Sequence, residues 1–326
     1  MSKTIEEDLN KFRALIKLMR PQQYYKNLLI FISIIFSANI FEFSLYTPLF
    51  VGFVGLCAIS SVNYIINDWH DIKLDQQHPE KMKRPLASGN ISKIEALILL
   101  NFLLGITLIT ILILPVSPKN QFLYILLILT IFITSQAYSL FFKNLPFYDV
   151  TFIALNYIWR IVIGVIVIEV TLSPWLFILG YLFALFLALS KRKGDLTLLG
   201  ETNAQKHKVV FSVYSHKLLD QFLVLMSGSI LVAYSIYIVQ STIDFSRNLT
   251  DLTKFENPFL MVLSIPAVAL ILMRLMYLQM SGSKSSRNAE LLFLDKHIII
   301  ISIVIGILTF TSLYWDQILS FLQLNL

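Results

Sequence analysis

The chain has 326 residues, of which 56% are hydrophobic and only 14% charged, with a mean hydropathy of +0.73. A soluble domain carries roughly 45–50% apolar residues, so a water-soluble fold is excluded and lipid is the solvent. The formal charge of +6 does not call for nucleic acid, because a membrane protein gains a basic balance by keeping cytoplasmic loops beside anionic lipid, and the single cysteine, Cys57, excludes an internal disulfide or a cysteine-rich metal site.

Residues 1–26 read as a cytoplasmic amphipathic lead-in. Leu9, Phe12, Leu15, Ile16 and Met19 recur at helical spacing with Lys11, Arg13, Lys17 and Arg20 between them, the pattern of a helix lying on a membrane surface. The segment has no short apolar core with a small-residue cleavage site, so no cleaved signal peptide is expected. Apolar runs then fall near residues 28–45, 48–66, 94–114, 121–142, 148–170, 174–190, 218–240, 258–280 and 297–321. Runs of this length match a hydrocarbon core of about 30 Å. Ser92 with Glu95 forms a capping-box pattern, and Ser173-Pro174 and Asn257-Pro258 place proline at two further helix starts. The expected fold is all-α, a polytopic integral membrane protein of about nine transmembrane helices forming one domain over 1–326.

Orientation follows from the basic residues. With the N-terminus inside, 22 of the 26 Lys and Arg fall on the inner side, counting Arg274 near the inner end of its run, 3 on the outer side, and Arg160 lies within a run. Lys and Arg near span ends resist translocation, so the N-terminus is expected in the cytoplasm and the C-terminus outside the cell (inner) membrane.

The chemistry-bearing pattern lies in 67–93, after the second run, a segment expected to be a cytoplasmic active-site loop. Asp68, Asp71 and Asp75 are spaced by three and four, hence on one helical face, with Asn63 and Asn67 on or near it. An acidic trio alone reads most simply as a solvated helix end. Here His78, Lys81, Lys83, Arg84 and Pro85 follow at once. Close carboxylates repel one another unless a divalent cation neutralises them, and oxygen donors favour magnesium over zinc. A phosphate-sized anion could bridge such a cation and the basic group, which suggests a diphosphate substrate.

A second charged loop, 191–217, is expected on the cytoplasmic side as part of the active site; it opens with Lys191-Arg192-Lys193-Gly194-Asp195 and continues with Lys206, His207 and Lys208. Its lysines taken singly read as positive-inside anchoring; Asp195 among them does not. Arg160 would cost at least about 2.5–3.5 kcal/mol near mid-membrane without a polar cavity or partner, so it is expected to line the site. Lys26 and Lys143 sit at cytoplasmic span ends, where snorkelling explains most lysines.

Asn67-Asp68-x-x-Asp71-x-x-x-Asp75 followed by Lys83-Arg84-Pro85-Leu86-Ala87-Ser88-Gly89 resembles the first motif of the UbiA superfamily of intramembrane transferases. Within it, Asp75-x-x-His78-Pro79-x-Lys81-x-x-Arg84-Pro85-x-Ala87-x-Gly89 is most similar to the decaprenyl-phosphate phosphoribosyltransferase branch. Arg20-Pro21-x-x-x-x-Lys26-Asn27, Tyr138-Ser139-Leu140-x-x-Lys143, Lys191-Arg192-x-x-Asp195-Leu196 and Glu290-x-x-x-x-Asp295 extend the resemblance over nearly the whole chain.

The resemblance implies a UbiA-like bundle and magnesium-dependent transfer of 5-phosphoribosyl from phosphoribosyl diphosphate to a polyprenyl phosphate, with release of diphosphate, as in cell envelope biosynthesis. Asp68, Asp71 and Asp75 would hold Mg2+, with Asp195 as a further catalytic carboxylate where the branch more usually has glutamate. Lys26, Asn63, Asn67, His78, Lys81, Lys83, Arg84, Tyr138, Lys143, Arg160, Lys191 and Arg192 would contact substrate. The runner-up is a UbiA-type prenyltransferase that moves a polyprenyl group from its diphosphate to an aromatic or other small acceptor. A membrane transporter is the alternative from another class. Membrane lipid is an expected partner, and lipid-facing and subunit-facing surfaces read alike, which leaves a homo-oligomer open.

Overall fold

A computed structural model describes residues 2–78, 81–171, 173–200, 209–246, 255–280 and 294–322. Among them every regular element is helical. Among the described residues eight helices are long and apolar enough to cross a membrane, and the protein is an integral membrane protein. Lys206, His207, Lys208 and Glu290 lie outside the described residues. The chain divides into two compact units: Met1–Ile35, Asn39–Leu140 and Trp159–Val170 form the first, and Phe36–Ala38, Phe141–Ile158 and Thr171–Leu326 the second.

The first unit opens with α1 (Ser2–Met19). Its Ala14 and Leu18 are buried, while Leu9, Phe12 and Ile16 form an exposed apolar stripe flanked by Lys11, Arg13 and Lys17. That is the geometry of a helix bedded in a lipid surface.

The expected first run is not one α-helix. Instead, a 3-10 helix spans Pro21–Phe31 and passes into α2 (Ile32–Phe36). At about 2.0 Å per 3-10 residue and 1.5 Å per α residue, the 11 and 5 residues run roughly 30 Å, enough for the hydrocarbon core. The 3-10 period of three brings Tyr24, Asn27 and Ile30 into line. Tyr24 shares a 2.7 Å hydrogen bond with Ser61, and Asn27 and Ile30 are buried. A side chain every third residue therefore faces inward.

Helix α3 (Tyr46–His70) is the core of this unit, with 67% of its apolar window buried. Leu49, Leu56, Ile59, Val62 and Ile65 pack with Ile30, Leu103, Ile128 and Ile163 in one cluster. It continues through Asp71 into α4 (Ile72–Gln76) and a short 3-10 turn, Lys81–Lys83. Helix α5 (Lys93–Ile113) starts on the expected capping box, Ser92 with Glu95, and α6 (Pro118–Leu140) returns.

Helix α7 (Tyr148–Val167) contributes its first half to the second unit and its second half to the first. A Cβ at Gly164 would lie 2.1 Å from the Ile30 carbonyl oxygen, so only glycine lets the two backbones meet there. Arg160, one turn earlier, faces the same 3-10 helix.

The second unit adds α8 (Pro174–Leu199), α9 (His216–Ser246), α10 (Phe259–Val262), α11 (Ser264–Met280), α12 (Lys296–Leu313) and α13 (Trp315–Phe321). Ser173 caps α8 with Pro174 in its first turn, as expected, whereas Pro258 itself occupies the N-cap of α10. Phe186, Leu189, Leu196, Phe211, Leu219, Leu223 and Leu275 form its core. The expected end of the sixth run at residue 190 is too early: α8 runs on to Leu199, so the Lys191–Asp195 cluster is helical, not a loop.

Candidate active site

In the first unit, the acidic face of α3 and α4 meets two arginines. Asp68, 3% exposed, accepts from Arg20 through its Oδ1 and from Arg84 Nη1 at 3.1 Å. The same Arg84 nitrogen donates to Asp75 Oδ2 at 2.7 Å, and Asp75 is also buried. One guanidinium nitrogen thus bridges two of the three expected carboxylates. Asp71, at the α3–α4 junction, is partly exposed.

Local sequence sets this geometry. The break at Asp71 lets α4 turn, and Asp75 N–H still bonds the Asp71 carbonyl at 2.8 Å. Arg84 is carried back by the turn that follows it: Ser88 N–H bonds the Arg84 carbonyl, Gly89 takes φ +77°, and Gln76 Nε2 donates to the Ala87 carbonyl at 3.2 Å. Glycine supplies that left-handed backbone without a steric penalty.

Arg20 lies between α1 and the 3-10 helix with φ and ψ both 55°, an uncommon left-handed geometry for a side-chain-bearing residue. Its guanidinium lies 5.0 Å from the centre of the Tyr64 ring. Arg20 is not among the site residues expected from the sequence, where its only mark is the Arg20-Pro21 pair at the end of an amphipathic helix.

The other expected residues of this unit are spread around the pair. Asn63 Oδ1 accepts from Gln136 Nε2 at 2.7 Å, while Asn63 Nδ2 and Asn67 Oδ1 are buried with no hydrogen-bond partner. His78 Nδ1 accepts from the Lys81 backbone N–H at 3.4 Å, and Lys81 and Lys83 are exposed. Lys26 lies 5.6 Å from the Tyr25 ring centre, and Tyr138 is half-buried near the end of α6. Arg160, 8% exposed, donates from Nε to Asn27 Oδ1 at 2.8 Å. Asn27 in turn donates to Cys57 Sγ at 3.3 Å, so the membrane-embedded arginine does have a polar partner.

In the second unit, Arg192 is 2% exposed and donates from Nε to Asp149 Oδ2 at 2.6 Å; Asp149 is fully buried. Arg192 Nη1 also reaches Asp195 Oδ2 at 3.4 Å. The Tyr214 hydroxyl donates to Asp149 Oδ1 and accepts from the Phe147 backbone N–H, both at 2.7 Å. Burial, and then the bond to Asp149, pushes the Tyr214 phenol well above its ordinary pKa, which keeps it a proton donor. That bond holds Phe147 at φ 70°, at the end of the loop that carries Lys143. Lys191 is exposed, whereas Lys193 is buried and paired with Asp220. Asp149, Tyr214, Lys193 and Asp220 were not among the expected site residues, since a lone acid at a span start carries no motif.

The oxygen donors here suit a magnesium ion: the carboxylates of Asp68 and Asp75, and, one residue before Asp68 in the chain, a buried Asn67 amide oxygen with no hydrogen-bond partner. Asp68 and Asp75 already lie within reach of a single cationic nitrogen. Among the described residues, however, no three His, Cys, Asp or Glu side chains are gathered to enclose an ion. The arginines hold the carboxylates instead.

Comparison with known proteins settles the family. A model of the UbiA prenyltransferase family matches residues 28–297. The chain belongs to that family. As a UbiA-superfamily transferase it is similar to decaprenyl-phosphate phosphoribosyltransferase of Mycolicibacterium smegmatis, with 26% identity over 81% of this chain and 81% of that protein. It is likewise similar to the enzyme of the same name from Corynebacterium glutamicum, 23% identical over 79% of this chain and 75% of that one. Among solved structures, a UbiA homologue from Archaeoglobus fulgidus bound to DMAPP and Mg2+ superimposes with a TM-score of 0.63. It is 17% identical, covering 92% of this chain and 98% of that one, a likeness of fold.

Proposed function

We propose that this UbiA-family protein transfers a 5-phosphoribosyl group from phosphoribosyl diphosphate to a polyprenyl phosphate, with release of diphosphate. The observation that carries the reading is the arginine-bridged pair Asp68–Arg84–Asp75 beside exposed Lys81 and Lys83, a site built for a highly anionic donor. The relatives named decaprenyl-phosphate phosphoribosyltransferase support it.

In this reading Asp68 and Asp75 would hold Mg2+, with Asp71 and Asn67 as the oxygen-bearing residues that neighbour them in the chain. Magnesium, when bound, withdraws charge from the departing diphosphate. Arg84, Lys81 and Lys83 complete the neutralisation of that leaving group. The anomeric C–O bond to diphosphate breaks and its electron pair leaves with diphosphate, while a lipid phosphate oxygen forms the new C–O bond. A phosphate monoester is already ionised near neutral pH, so no protein base is required, and His78 serves only to orient. Lys26 and Tyr138, in the same unit as Asp68, are candidate contacts to the phosphorylated substrates. Arg192 is placed as a positioning residue: its guanidinium orients Asp195 while Asp149 holds it buried. Arg160 acts on the first unit through Asn27. The basic asymmetry puts the Asp68 site and the N-terminus on the cytoplasmic side.

The second reading, prenyl transfer to a small acceptor, is favoured by the fold shared with a homologue that binds DMAPP. Purified protein with magnesium, ribose-labelled phosphoribosyl diphosphate and polyprenyl phosphate separates the two. Label entering the organic phase, and lost in Asp68→Asn, is the expected result. No label, together with alkylation of an aromatic acceptor by a polyprenyl diphosphate, would establish the second reading instead.

A further inference from the structure

Two buried carboxylates and two guanidinium groups meet at one point of the first unit. Asp68 and Asp75 contribute two negative charges, Arg20 and Arg84 two positive ones, so the cluster is neutral as it stands. The Asp68 side chain is 3% exposed, whereas that of Arg20 is 24% exposed. A divalent cation arriving at these carboxylates would double the local positive charge, and the arginines would then need other anions.

We propose that Arg20 is an exchangeable counter-ion. It holds Asp68 while that carboxylate carries no metal, and passes to a diphosphate oxygen when a divalent cation takes its place. The inference rests on the reading of Asp68 and Asp75 as a metal–diphosphate site, but on no particular group being transferred.

The surroundings suit a side-chain exchange over a fixed backbone. Pro21 follows immediately and restricts the main chain at the junction. Helix α1 stays tied to the same region by other contacts, since Lys11 pairs with Glu95 and Lys17 Nζ donates to the Lys83 carbonyl at 3.3 Å. The Tyr64 ring, 5.0 Å from the guanidinium carbon, is a second resting surface that keeps the charge beside the site in transit. A guanidinium carries five N–H donors in a planar fork, matched to a phosphate as well as to a carboxylate.

A competing cation and a substrate contact predict opposite signs in one variant. Manganese binding to the purified protein, read by electron paramagnetic resonance, is measured first alone and then with inorganic diphosphate titrated in at saturating manganese. Arg20→Gln is expected to bind manganese alone about tenfold more tightly and diphosphate about tenfold more weakly, the effect of one charge-assisted bond. Arg20→Lys keeps the charge without the planar fork and is expected to lie between wild type and Arg20→Gln in both. A variant that merely folds poorly loses both affinities together. Parallel loss in an Arg20→Gln protein that elutes and melts as wild type does, or no change in either affinity, would overturn the exchange while leaving the metal–diphosphate reading intact. Wild-type protein that takes up neither manganese nor diphosphate would remove that reading and the exchange with it.

Discussion

Removing Asp149 tests whether the second unit is organised by its buried ion pair. The side chain is fully buried, Arg192 is 2% exposed, and their 2.6 Å contact leaves Arg192 facing Asp195 at 3.4 Å once Asp149 is gone. Breaking one half of a buried pair costs about 3–5 kcal/mol, against about 0–1 for an exposed one. Tyr214 would also lose its acceptor. In a denaturant titration in mild detergent, Asp149→Ala should lower the unfolding free energy by about 4 kcal/mol. Tyr214→Phe should cost about 1–3 kcal/mol, because the Phe147 N–H is left unpaired. The double variant Asp149→Leu/Arg192→Met removes both charges and should recover most of the loss. An Asp149→Ala cost below about 1 kcal/mol would refute the buried-pair argument.

Three further outcomes are expected. Gly164→Ala drives a methyl group to within 2.1 Å of the Ile30 carbonyl oxygen and should destabilise by about 1–3 kcal/mol in the same titration, whereas the open Gly105 should tolerate alanine with little loss. Asp295, bonded by Arg274 and by the N–H groups of Ile298 and His297, has its carboxyl lowered from 3.8 to about 2. Its stabilisation is therefore fully present above the ordinary value and lost as pH falls through about 2; the gap in melting temperature between wild type and Asp295→Asn should close between about pH 4 and pH 2. In a Cys57→Ala background, Lys119→Cys should react with an impermeant maleimide on intact cells and Lys83→Cys only after permeabilisation; the reverse would invert the proposed orientation.

The α-helical membrane fold was legible because hydropathy and span length are properties of single segments, and the caps at Ser92 and Ser173 needed only local chemistry. The 3-10 helix was not. Tyr24 and Asn27 recur every third residue with Ile30, but two of the three are polar, so a search for apolar runs passes over them. The end of α8 was placed too early for a related reason: Lys191–Asp195 looks like a loop by charge, yet its arginine and second lysine are buried on partners distant in sequence, Asp149 and Asp220. Asp68, Asp75 and Arg84 were legible from spacing because 3.6-residue periodicity and one turn bring them together. Arg20 was not, since its approach to Asp68 depends on a left-handed backbone at Arg20 itself.

The most direct measurement follows both halves of the donor. Phosphoribosyl diphosphate carrying a carbon label in the ribose and a phosphorus label in the diphosphate is incubated with the purified protein, magnesium and a polyprenyl phosphate, and the phases are separated. Phosphoribosyl transfer moves the carbon label into the lipid, leaves the phosphorus label in water as diphosphate, and fails in Asp68→Asn. Phosphorus label in the lipid, or both labels remaining in water while a polyprenyl diphosphate alkylates a small acceptor, would contradict it.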